Sequence, residues 1–312
     1  MKKIGVLYGM ENSFPPALVD RINTSGTPGV VAEHLKVGHV EMAVPCGYDV
    51  IVDRISHDIP FYRSYLKNAA LTGTQIINDP FWWSADDKFF NYALADKLGV
   101  AVPPTVILPH KELPAGTTDM SMRNLIFPID WERIFAYIGF PAFLKPHDGG
   151  GWKNVFKVDS PAEFFAAYDD SSDLCMTLQR GVNFQEYFRC YVIGQSKVHI
   201  MRYDPLQPHH LRYVPGNPPP SPALGERIVK DCLTLCRALG YDLNTVEFAV
   251  EDGIPYAIDF MNPAPDAGLE SVGAENFEWV INAVAEMAID RALHPPAQLP
   301  YNWAKAMAKR NG

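Results

Sequence analysis

The stretch FLKPHDGGGWKNVFKV, which runs from Phe143 to Val158, places a lysine at the end of an apolar run, then three consecutive glycines, then a second lysine. Glycines can adopt positive φ and present consecutive backbone N–H groups to an anion, because no Cβ keeps a phosphate away. The ammonium groups of Lys145 and Lys153 could reach the same anion. A flexible hairpin with surface lysines also explains the stretch. The rest of the sequence is needed to distinguish this interpretation from an anion-binding loop.

The glycines do not belong to a Walker phosphate-binding loop. That motif requires Gly-Lys-Ser/Thr leading directly into a helix. Here the strand-like segment NVFKV follows the glycines instead. Any phosphate site in this stretch is therefore of another kind.

The composition is that of a globular protein, since 47% of the 312 residues are hydrophobic and 20% are charged. A chain of this length is expected to form two or three packed units. The net charge of −9 argues against a nucleic-acid-binding surface and against a polybasic membrane patch. No segment approaches the roughly 20 apolar residues that a membrane helix requires. An anionic ligand must therefore be held by a local cluster of positive groups.

The N-terminus and the cysteines favour a cytoplasmic protein. The opening MKKIGVLYGMENS is predicted to be a first β-strand, because its apolar run stops at Glu11 without the cleavage pattern of a signal peptide. The five cysteines form no CxxC pair, and Cys232 and Cys236 lie four apart in an apolar helical pattern. We therefore expect core thiols in a reducing compartment, with neither a disulfide framework nor a cysteine-bound metal.

The first 80 residues alternate strand and helix patterns. KIGVLYG, YDVIVDRIS and TQIIND are predicted strands, while FPPALVDRIN and FYRSYLKNAALTG have helical spacing. This alternation predicts a parallel sheet. Ligands bind beyond the carboxyl ends of the strands in such sheets, where Arg54, Ser56 and His57 fall. Arg54 could pair there with a substrate carboxylate.

The rest of the chain predicts mixed strands and helices. FPAFLKP is a strand that ends near Lys145, and EYFRCYVIG and KVHIMRYD are expected to pair. Ser160 is expected to cap the helix SPAEFFAAYDD, with Glu163 in the reciprocal capping position. Another Ser–Pro pair, at Ser221, begins the helix SPALGERIVKDCLTLCRALG. TVEFAVEDGIPYAIDFMNP is predicted to be a hairpin, because EDG lies between two alternating strands.

Two carboxylates and an amide lie on and after this hairpin. Glu247 stands on the first strand, Asp259 on the second, and Asn262 three positions later. Their oxygen atoms are hard ligands that suit Mg²⁺. Adjacent carboxylates in an apolar hairpin would repel each other unless a cation lay between them. The alternative is that either acid faces solvent.

Other residues are candidates for contacts with a nucleotide. Lys88 falls in the first turn of a helix, where the macrodipole disfavours a cation unless an anion is bound nearby. The backbone of Gln179 could hydrogen-bond an adenine edge, and Glu186 could accept hydrogen bonds from ribose hydroxyls. Arg189 and Arg202 lie on neighbouring predicted strands and could point into the same cleft. Each of these residues, taken singly, is also compatible with an ordinary surface position.

Taken in chain order, these groups resemble the ATP-grasp superfamily, which includes D-alanine–D-alanine ligase, glutathione synthetase and the glutamate ligase that modifies a ribosomal protein. The resemblance covers residues 78–268. Its motifs are DK at a helix start, GVAVPPT, FPAFLKP, HDGGGWKNV, Gln179 and Glu186 followed by RCYVIG, and the acids Glu247 and Asp259 followed by FMNPAP. All of these motifs occur in the order that the family has.

The resemblance implies an α/β fold, with α+β character in the lid. An N-terminal Rossmann-like domain with a parallel sheet would occupy residues 1–85. A central ATP-grasp lid subdomain with the Gly-rich loop would occupy residues 86–180. A C-terminal ATP-grasp subdomain with the metal site would occupy residues 181–312, and the two α+β subdomains would clasp ATP.

The resemblance also implies roles for individual residues. Arg202, Arg189 and Lys145 would act in catalysis, with Arg202 steadying the negative charge that develops during the reaction. The implied ligands of Mg²⁺, or of Mn²⁺, are Glu247, Asp259 and Asn262. The residues implied in ATP binding are Lys88, Lys145, Gly149, Gly150, Gly151, Trp152, Lys153, Gln179 and Glu186.

The sequence departs from the family pattern at three places. One extra residue separates Asp259 from Asn262, so a bulge is expected to bring both to one metal. Asp266 stands where a glycine normally follows the last proline. Thr245 stands where an arginine is frequent, and Arg202 is expected to substitute for that arginine.

The activity that the resemblance implies is that of an ATP- and Mg²⁺-dependent carboxylate–amine ligase, which forms an amide through an acyl phosphate. Its partners would be small-molecule carboxylate and amine substrates, which the sequence does not identify, and the dimers common in the family favour a homodimer. Two alternatives stay open: an ATP-grasp kinase that phosphorylates a small molecule, and a non-catalytic nucleotide-binding regulatory protein. A plain two-domain α/β binding protein would leave the order of the charged groups to chance.

Overall fold

The computed structural model describes residues 1–81, 87–149 and 153–296, together with residues 301, 303 and 307. The chain forms two compact units. Unit 1 comprises Met1–Ser84, Tyr187–Glu247 and Asp259–Gly312, and unit 2 comprises Ala85–Glu186 and Phe248–Ile258. The division into three domains at residues 85 and 180 stays a prediction.

Strands and helices alternate at first and then mix. In chain order the elements are β1 (Lys2–Leu7), α1 (Phe14–Thr24), β2 (Val30–His34), β3 (Val50–Asp53), α2 (Pro60–Leu71), β4 (Gln75–Ile77), α3 (Lys88–Lys97), β5 (Thr105–Leu108), α4 (Trp131–Ile138), β6 (Ala142–Pro146), β7 (Phe156–Val158), α5 (Pro161–Asp170), β8 (Met176–Arg180), β9 (Glu186–Ile193), β10 (Lys197–Arg202), α6 (Pro222–Leu239), β11 (Leu243–Glu251), β12 (Ile254–Asp259), α7 (Leu269–Val272) and α8 (Ala274–Leu293). Short 3-10 helices lie at Asp119–Met122 and His209–Leu211.

The N-terminal sheet of unit 1 is parallel, as predicted, with the strand order β2-β1-β3-β4. Its two central strands are apolar because helices cover both faces. Ile4 and Val50 pack on one face into a core that α1 and α8 complete, whereas Leu7 and Ile51 pack on the other face against α2. Strand β2 is not among the predicted strands, because its segment VVAEH is short and mostly half-exposed.

A second sheet has the order β10-β9-β11-β12. The predicted pairing of β9 with β10 is confirmed and is antiparallel. Tyr191 and Ile193 of β9 enter the same core as Ile4 and helix α8. Side chains on a strand alternate between the two faces of the sheet, so Arg189 lies on the same face as Tyr191 and Ile193.

Unit 2 contains an antiparallel sheet with the order β5-β8-β6-β7. Helices α4 and α5 cover one face with a cluster of aromatic rings that includes Trp131, Phe135 and Phe164. Strand β8 lies between β5 and β6, where Lys145 pairs with Thr177 and Phe143 pairs with Gln179. Lys145 and Gln179 are therefore diagonal neighbours on one face of the sheet.

The predicted hairpin is formed by β11 and β12. Asp252 and Gly253 connect the two strands, and both have positive φ, at 52° and 76°. A two-residue turn with positive φ at both positions matches the right-handed twist of the flanking strands. The residues that the sequence singled out as EDG therefore form the turn.

The expectation that Cys232 and Cys236 are core thiols is confirmed. All five cysteines are free thiols, and Cys232 and Cys236 of α6 are fully buried. Burial raises the pKa of the Cys236 thiol to about 12. Within the described residues, none of the helices combines the length and the apolar character that crossing a bilayer requires.

Candidate functional site

Lys145 lies at the end of β6 and is half-buried in unit 2. Its Nζ donates hydrogen bonds to the hydroxyl of Tyr92 and to Oε1 of Gln179, both at 2.8 Å. The same Nζ lies 4.9 Å from the centroid of the Tyr92 ring. The structure thus brings together two of the predicted ATP-binding residues, Lys145 and Gln179, and adds Tyr92, which the sequence analysis missed.

Gln179 acts here through its side chain. Its backbone pairs with Thr105 of β5 on one side and with Phe143 of β6 on the other, so the residue lies inside the sheet. The amide Nε2 donates to Oγ1 of Thr105 at 2.8 Å. The side chain of Gln179 thus contacts Lys145 and Thr105, and the expected contact between its backbone and an adenine edge stays a prediction.

Lys88 is brought to the start of the glycine loop. Helix α3 begins at Lys88, and the Asp87 side chain caps it by accepting from the N–H of Phe90 at 3.0 Å. The backbone N–H of Lys88 donates to the carbonyl of His147 at 2.8 Å, and its Nζ donates to the carbonyl of Gly149. The positive end of α3 and the ammonium group of Lys88 therefore face the same loop.

The glycine loop is described at its two ends. Gly149 has a φ of +77°, and a Cβ built there would meet nothing within 4 Å. Lys153 is exposed, and β7 begins three residues after it. Gly150, Gly151 and Trp152 lie outside the described residues.

The segment that leads from β8 into β9 is fixed to the hairpin. Nη1 of Arg180 donates to Glu251 at 2.8 Å, and the N–H of Asn183 donates to the other oxygen of the same carboxylate at 2.7 Å. Burial would raise the pKa of the Glu251 carboxyl, but the Arg180 and Asn183 contacts outweigh it and lower the pKa. Glu186, a predicted ribose contact, is half-buried at the first position of β9.

Glu247 and Arg189 form a buried ion pair in unit 1. Nε of Arg189 lies 3.6 Å from Oε1 of Glu247, and their side chains are 11% and 16% exposed. The hydroxyl of Tyr187 donates to Oε2 of Glu247 at 2.7 Å. Burial, opposed by the Arg189 guanidinium and reinforced by the charge of Asp259, raises the pKa of the Glu247 carboxyl. Glu247 and Asp259 are therefore close enough for their charges to interact.

Asn262 is positioned by a buried asparagine that sequence reasoning missed. Oδ1 of Asn244 accepts from the backbone N–H of Asn262 at 2.8 Å, and its Nδ2 donates to the carbonyl of Phe260 at 2.8 Å. The side chain of Asn262 in turn donates to the carbonyl of Thr245 at 3.3 Å. Strand β12 ends at Asp259, so the extra residue before Asn262 lies where strand pairing has stopped. Asn262 is thereby brought next to the strand that carries Glu247.

Arg202 and Arg189 do not share a face, and the expectation that both point into one cleft is wrong. Arg202 lies opposite Phe188 in the register of β10 and β9, whereas Arg189 lies opposite Met201. Opposed residues share a face, and adjacent residues of one strand point to opposite faces. The guanidinium of Arg202 accordingly lies 4.9 Å from the centroid of the Phe188 ring.

Arg189, rather than Arg202, contacts the residue that stands where the family often has an arginine. Its Nη2 donates to Oγ1 of Thr245 at 3.3 Å. Arg212 also lies close enough to Glu247 for its charge to lower the pKa of that carboxyl. These placements depend on strand register and loop path, which local sequence patterns do not give.

Arg54 is committed to contacts inside unit 1. It is 3% exposed, its Nε and Nη2 donate to the two carboxylate oxygens of Glu11, and Nη2 also donates to the carbonyl of Pro265. The bidentate carboxylate partner that the sequence suggested for Arg54 is thus supplied by the chain itself. Ser56, another candidate at this sheet edge, donates to the carboxylate of Asp53.

The donor set around Glu247 suits a hard cation. Within the described residues, no group of three His, Cys, Asp or Glu side chains is arranged to hold a metal ion. The predicted ligands are instead two carboxylates and an amide, Glu247, Asp259 and Asn262. Such a set leaves part of the coordination to other oxygen atoms, which is how Mg²⁺ usually binds in proteins.

Comparison with known proteins gives matches among solved structures only. No protein-family model and no curated sequence matches this chain. D-alanine–D-alanine ligase from Bacillus anthracis, solved in complex with ATP, matches with a TM-score of 0.63 and 16% identity over 100% of both chains. VanG D-Ala:D-Ser ligase from Enterococcus faecalis matches with a TM-score of 0.63 and 17% identity over 94% of this chain and 98% of that one.

A peptide-modifying enzyme has a similar fold. The ATP-grasp ligase PsnB, solved with a minimal precursor, Mg and ADP, matches with a TM-score of 0.61 and 14% identity over 93% of this chain and 97% of its own. At these identities the likeness shows the fold alone. It confirms the expected mixed α/β fold.

Proposed function

We propose that this chain, which has the ATP-grasp fold, is an ATP- and Mg²⁺-dependent carboxylate–amine ligase. The observation that supports the proposal best is the contact between Lys88 and Gly149, in which a lysine at a helix start reaches the glycine loop. An ammonium group beside a backbone without Cβ atoms is suited to a polyphosphate. Lys145 ends the strand that leads into the same loop and adds a second positive charge.

In this proposal unit 2 binds the nucleotide. Lys88 and Lys145 would neutralise phosphate charge, and Lys153 would approach from the far end of the loop. Glu186 would accept hydrogen bonds from the ribose, and Gln179 would act by holding Lys145. The contributions of Gly150, Gly151 and Trp152 stay predictions.

Glu247, Asp259 and Asn262 would hold Mg²⁺, and Mn²⁺ suits the same oxygen donors. The raised pKa of Glu247 supports this assignment, because a buried carboxyl beside a second carboxylate is stabilised in its ionised form by a divalent cation. When bound, Mg²⁺ would neutralise charge on phosphate oxygens and so favour phosphoryl transfer.

The proposed reaction has two steps. An oxygen of the substrate carboxylate attacks the γ-phosphorus of ATP, the bond from that phosphorus to the β–γ bridging oxygen breaks, and ADP and an acyl phosphate form. The amine nitrogen then attacks the acyl carbon, phosphate leaves with the electrons of the C–O bond, and the nitrogen loses a proton to give the amide. The protein contributes position and charge, so no side chain has to act as a covalent nucleophile.

We assign the stabilisation of developing negative charge to Arg189. Its guanidinium lies beside Glu247 and Thr245, on the face of the sheet opposite to Arg202. The catalytic role expected for Arg202 is therefore transferred to Arg189. The small-molecule substrates, a homodimer and a cytoplasmic location stay predictions.

Phosphate release tests this proposal. The purified protein is incubated with MgATP and with pools of amino acids, dipeptides and small acids, and the released phosphate and the new products are measured. The active carboxylate is then supplied with a heavy-oxygen label. We expect one labelled oxygen in the released phosphate, because that oxygen leaves the acyl carbon when the amide forms. A Lys145→Met variant is expected to lose most of this activity.

Three other outcomes would contradict the proposal. A phosphorylated product without free phosphate would identify a kinase. Binding of MgATP without turnover in any pool would favour the regulatory protein. Amide formation that leaves all of the label in the carboxylate and none in phosphate would exclude the acyl phosphate.

A further inference from the structure

The ammonium group of Lys145 is held in a defined direction by two oxygen atoms. The Tyr92 hydroxyl and the Gln179 amide oxygen both accept from Nζ at 2.8 Å. A lysine side chain has four rotatable bonds to its charge and loses considerable entropy when it is fixed. Partners that fix it in advance reduce the cost of binding a ligand.

Tyr92 is itself fixed. It is 4% exposed on helix α3, and its hydroxyl donates to the carbonyl of Ile258 at 2.6 Å. The proton of the hydroxyl is therefore committed to that carbonyl, and the oxygen is left to accept from Lys145. The ring also lies beneath the ammonium group, at 4.9 Å from Nζ to the centroid.

The orientation of the Gln179 amide is fixed by two successive hydrogen bonds. Its Nε2 donates to Oγ1 of Thr105 at 2.8 Å, and that hydroxyl donates to the carbonyl of Pro103 at 2.9 Å. Since the hydroxyl proton of Thr105 is used at Pro103, the hydroxyl can only accept from Gln179. The amide oxygen of Gln179 is thereby directed at Lys145.

We propose that Tyr92 and Gln179 are positioning residues that direct the Lys145 ammonium at a phosphate group of the nucleotide without reducing its charge. The hydroxyl and the amide are neutral, so these two hydrogen bonds orient the cation without neutralising it. A carboxylate at position 179 would orient Lys145 equally well but would neutralise it. This inference rests on the proposed binding of ATP.

The Tyr92→Phe variant removes the hydroxyl and keeps the ring. We expect its affinity for MgATP, measured by calorimetry, to fall about tenfold, since a hydrogen bond to a charged group is lost. Its affinity for adenosine, which has no phosphate, is expected to stay within about twofold of the wild type. A purely structural defect would lower both affinities together.

Tyr168 offers a matched control in the same unit. It is 5% exposed, its hydroxyl donates to the carbonyl of Pro109 at 2.6 Å, and Lys111 Nζ lies 5.9 Å from the centroid of its ring. Tyr168→Phe therefore removes a similar buried hydrogen bond without touching Lys145. We expect it to bind MgATP as the wild type does, at a similar cost in thermal stability.

The Gln179→Glu variant tests the charge separately and decides the matter if Tyr92→Phe fails to fold. A carboxylate against Lys145 is expected to weaken MgATP binding at least tenfold and to leave adenosine binding unchanged. Wild-type affinity for MgATP in Gln179→Glu, or equal affinities in Tyr92→Phe and Tyr168→Phe, would overturn this inference and leave the proposed function standing. Absence of MgATP binding by the wild-type protein would overturn both.

Discussion

Glu251 shows how one side chain can fix the segment between β8 and β9. Its carboxylate accepts from Arg180 and from the backbone of Asn183, and it is 18% exposed. The guanidinium of Arg180 also lies 5.1 Å from the centroid of the Tyr256 ring. One residue thus ties the end of β8 and the following loop to the hairpin of β11 and β12.

Replacing Glu251 by Gln is expected to lower the free energy of unfolding by about 1 kcal/mol at neutral pH, because a partly buried charged contact is lost. The folded protein lowers the pKa of this carboxyl below its ordinary value of 4.5. Its contribution is therefore present above that pH and is lost as the pH falls through the lowered value. Denaturant unfolding at several pH values should show the difference between the two proteins shrinking below pH 4.5. A difference that is constant with pH would contradict this.

Asn244 has an equally specific role beside the proposed metal ligands. Its side chain is fully buried and bridges the carbonyl of Phe260 and the N–H of Asn262. Asn244→Ala is expected to weaken Mn²⁺ binding, measured by the loss of free-ion resonance, at least tenfold. It should also lower the free energy of unfolding by about 2 kcal/mol, because the carbonyl of buried Phe260 and the N–H of half-buried Asn262 lose their partner.

Asn217 is the control for this change. Its side chain accepts from the N–H of Arg202 and donates to the carbonyl of Ile200. It therefore bridges backbone groups of β10, which β9 separates from the strand that carries Glu247. Asn217→Ala should lower stability and leave Mn²⁺ binding unchanged. Equal Mn²⁺ binding in both variants would show that Asn244 does not position the metal site.

Among the helices, α5 and α6 begin with the same Ser–Pro pair, but only α5 has a side-chain cap at its N-terminus. The Ser160 side chain accepts from the N–H of Glu163 at 3.3 Å, and the Glu163 carboxylate accepts from the N–H of Asp159 at 3.0 Å. Ser221 makes no such bond at the start of α6. The dipeptide therefore marks a helix start in both cases but supplies a side-chain cap in only one.

Ser160→Ala is expected to lower the free energy of unfolding by about 1 kcal/mol, the usual cost of removing a helix cap. Ser221→Ala should change it by less than about 0.5 kcal/mol, because no cap bond is lost. Thermal or denaturant unfolding of the two variants side by side measures the difference. Equal losses of unfolding free energy in the two variants would mean that the hydrogen bond of the Ser160 cap does not stabilise helix α5.

Elements that are determined by a few adjacent residues could be predicted from the sequence. Elements that form only by pairing with a distant strand could not. The hairpin followed from EDG, and the cap at Ser160 from its spacing to Glu163, because turns and caps depend on a few adjacent residues. Strand β2 escaped prediction because VVAEH forms a strand only by pairing with β1. Its apolar pattern is too short to indicate a strand by itself.

At the scale of the whole molecule, each compact unit is built from separate stretches of the chain. Unit 2 takes residues 248–258 of the hairpin in addition to residues 85–186. Contacts that join distant stretches depend on strand register, which composition and motif order do not specify. The order of the motifs along the chain was sufficient to predict the fold.

The candidate site was predictable only in part, for the same reason. Lys88, Lys145 and Gln179 could be named from motifs, and in unit 2 Lys145 contacts Gln179 while Lys88 contacts Gly149. The pairing of Arg189 with Glu247 could not be foreseen, since one residue of register decides which arginine faces the acids. Tyr92 belongs to none of the sequence motifs, so it could be identified only from its hydrogen bond with Lys145.

Calorimetric titration of the wild-type protein with ATP, with and without Mg²⁺, shows whether this chain binds a nucleotide together with a metal ion. We expect saturable binding of one nucleotide per chain that is strengthened by Mg²⁺ and weakened at least tenfold in Lys145→Met. We also expect the strengthening by Mg²⁺ to be lost in Asn244→Ala. No binding of ATP, or binding that is unchanged by Mg²⁺ and by the loss of Lys145, would contradict the proposed function.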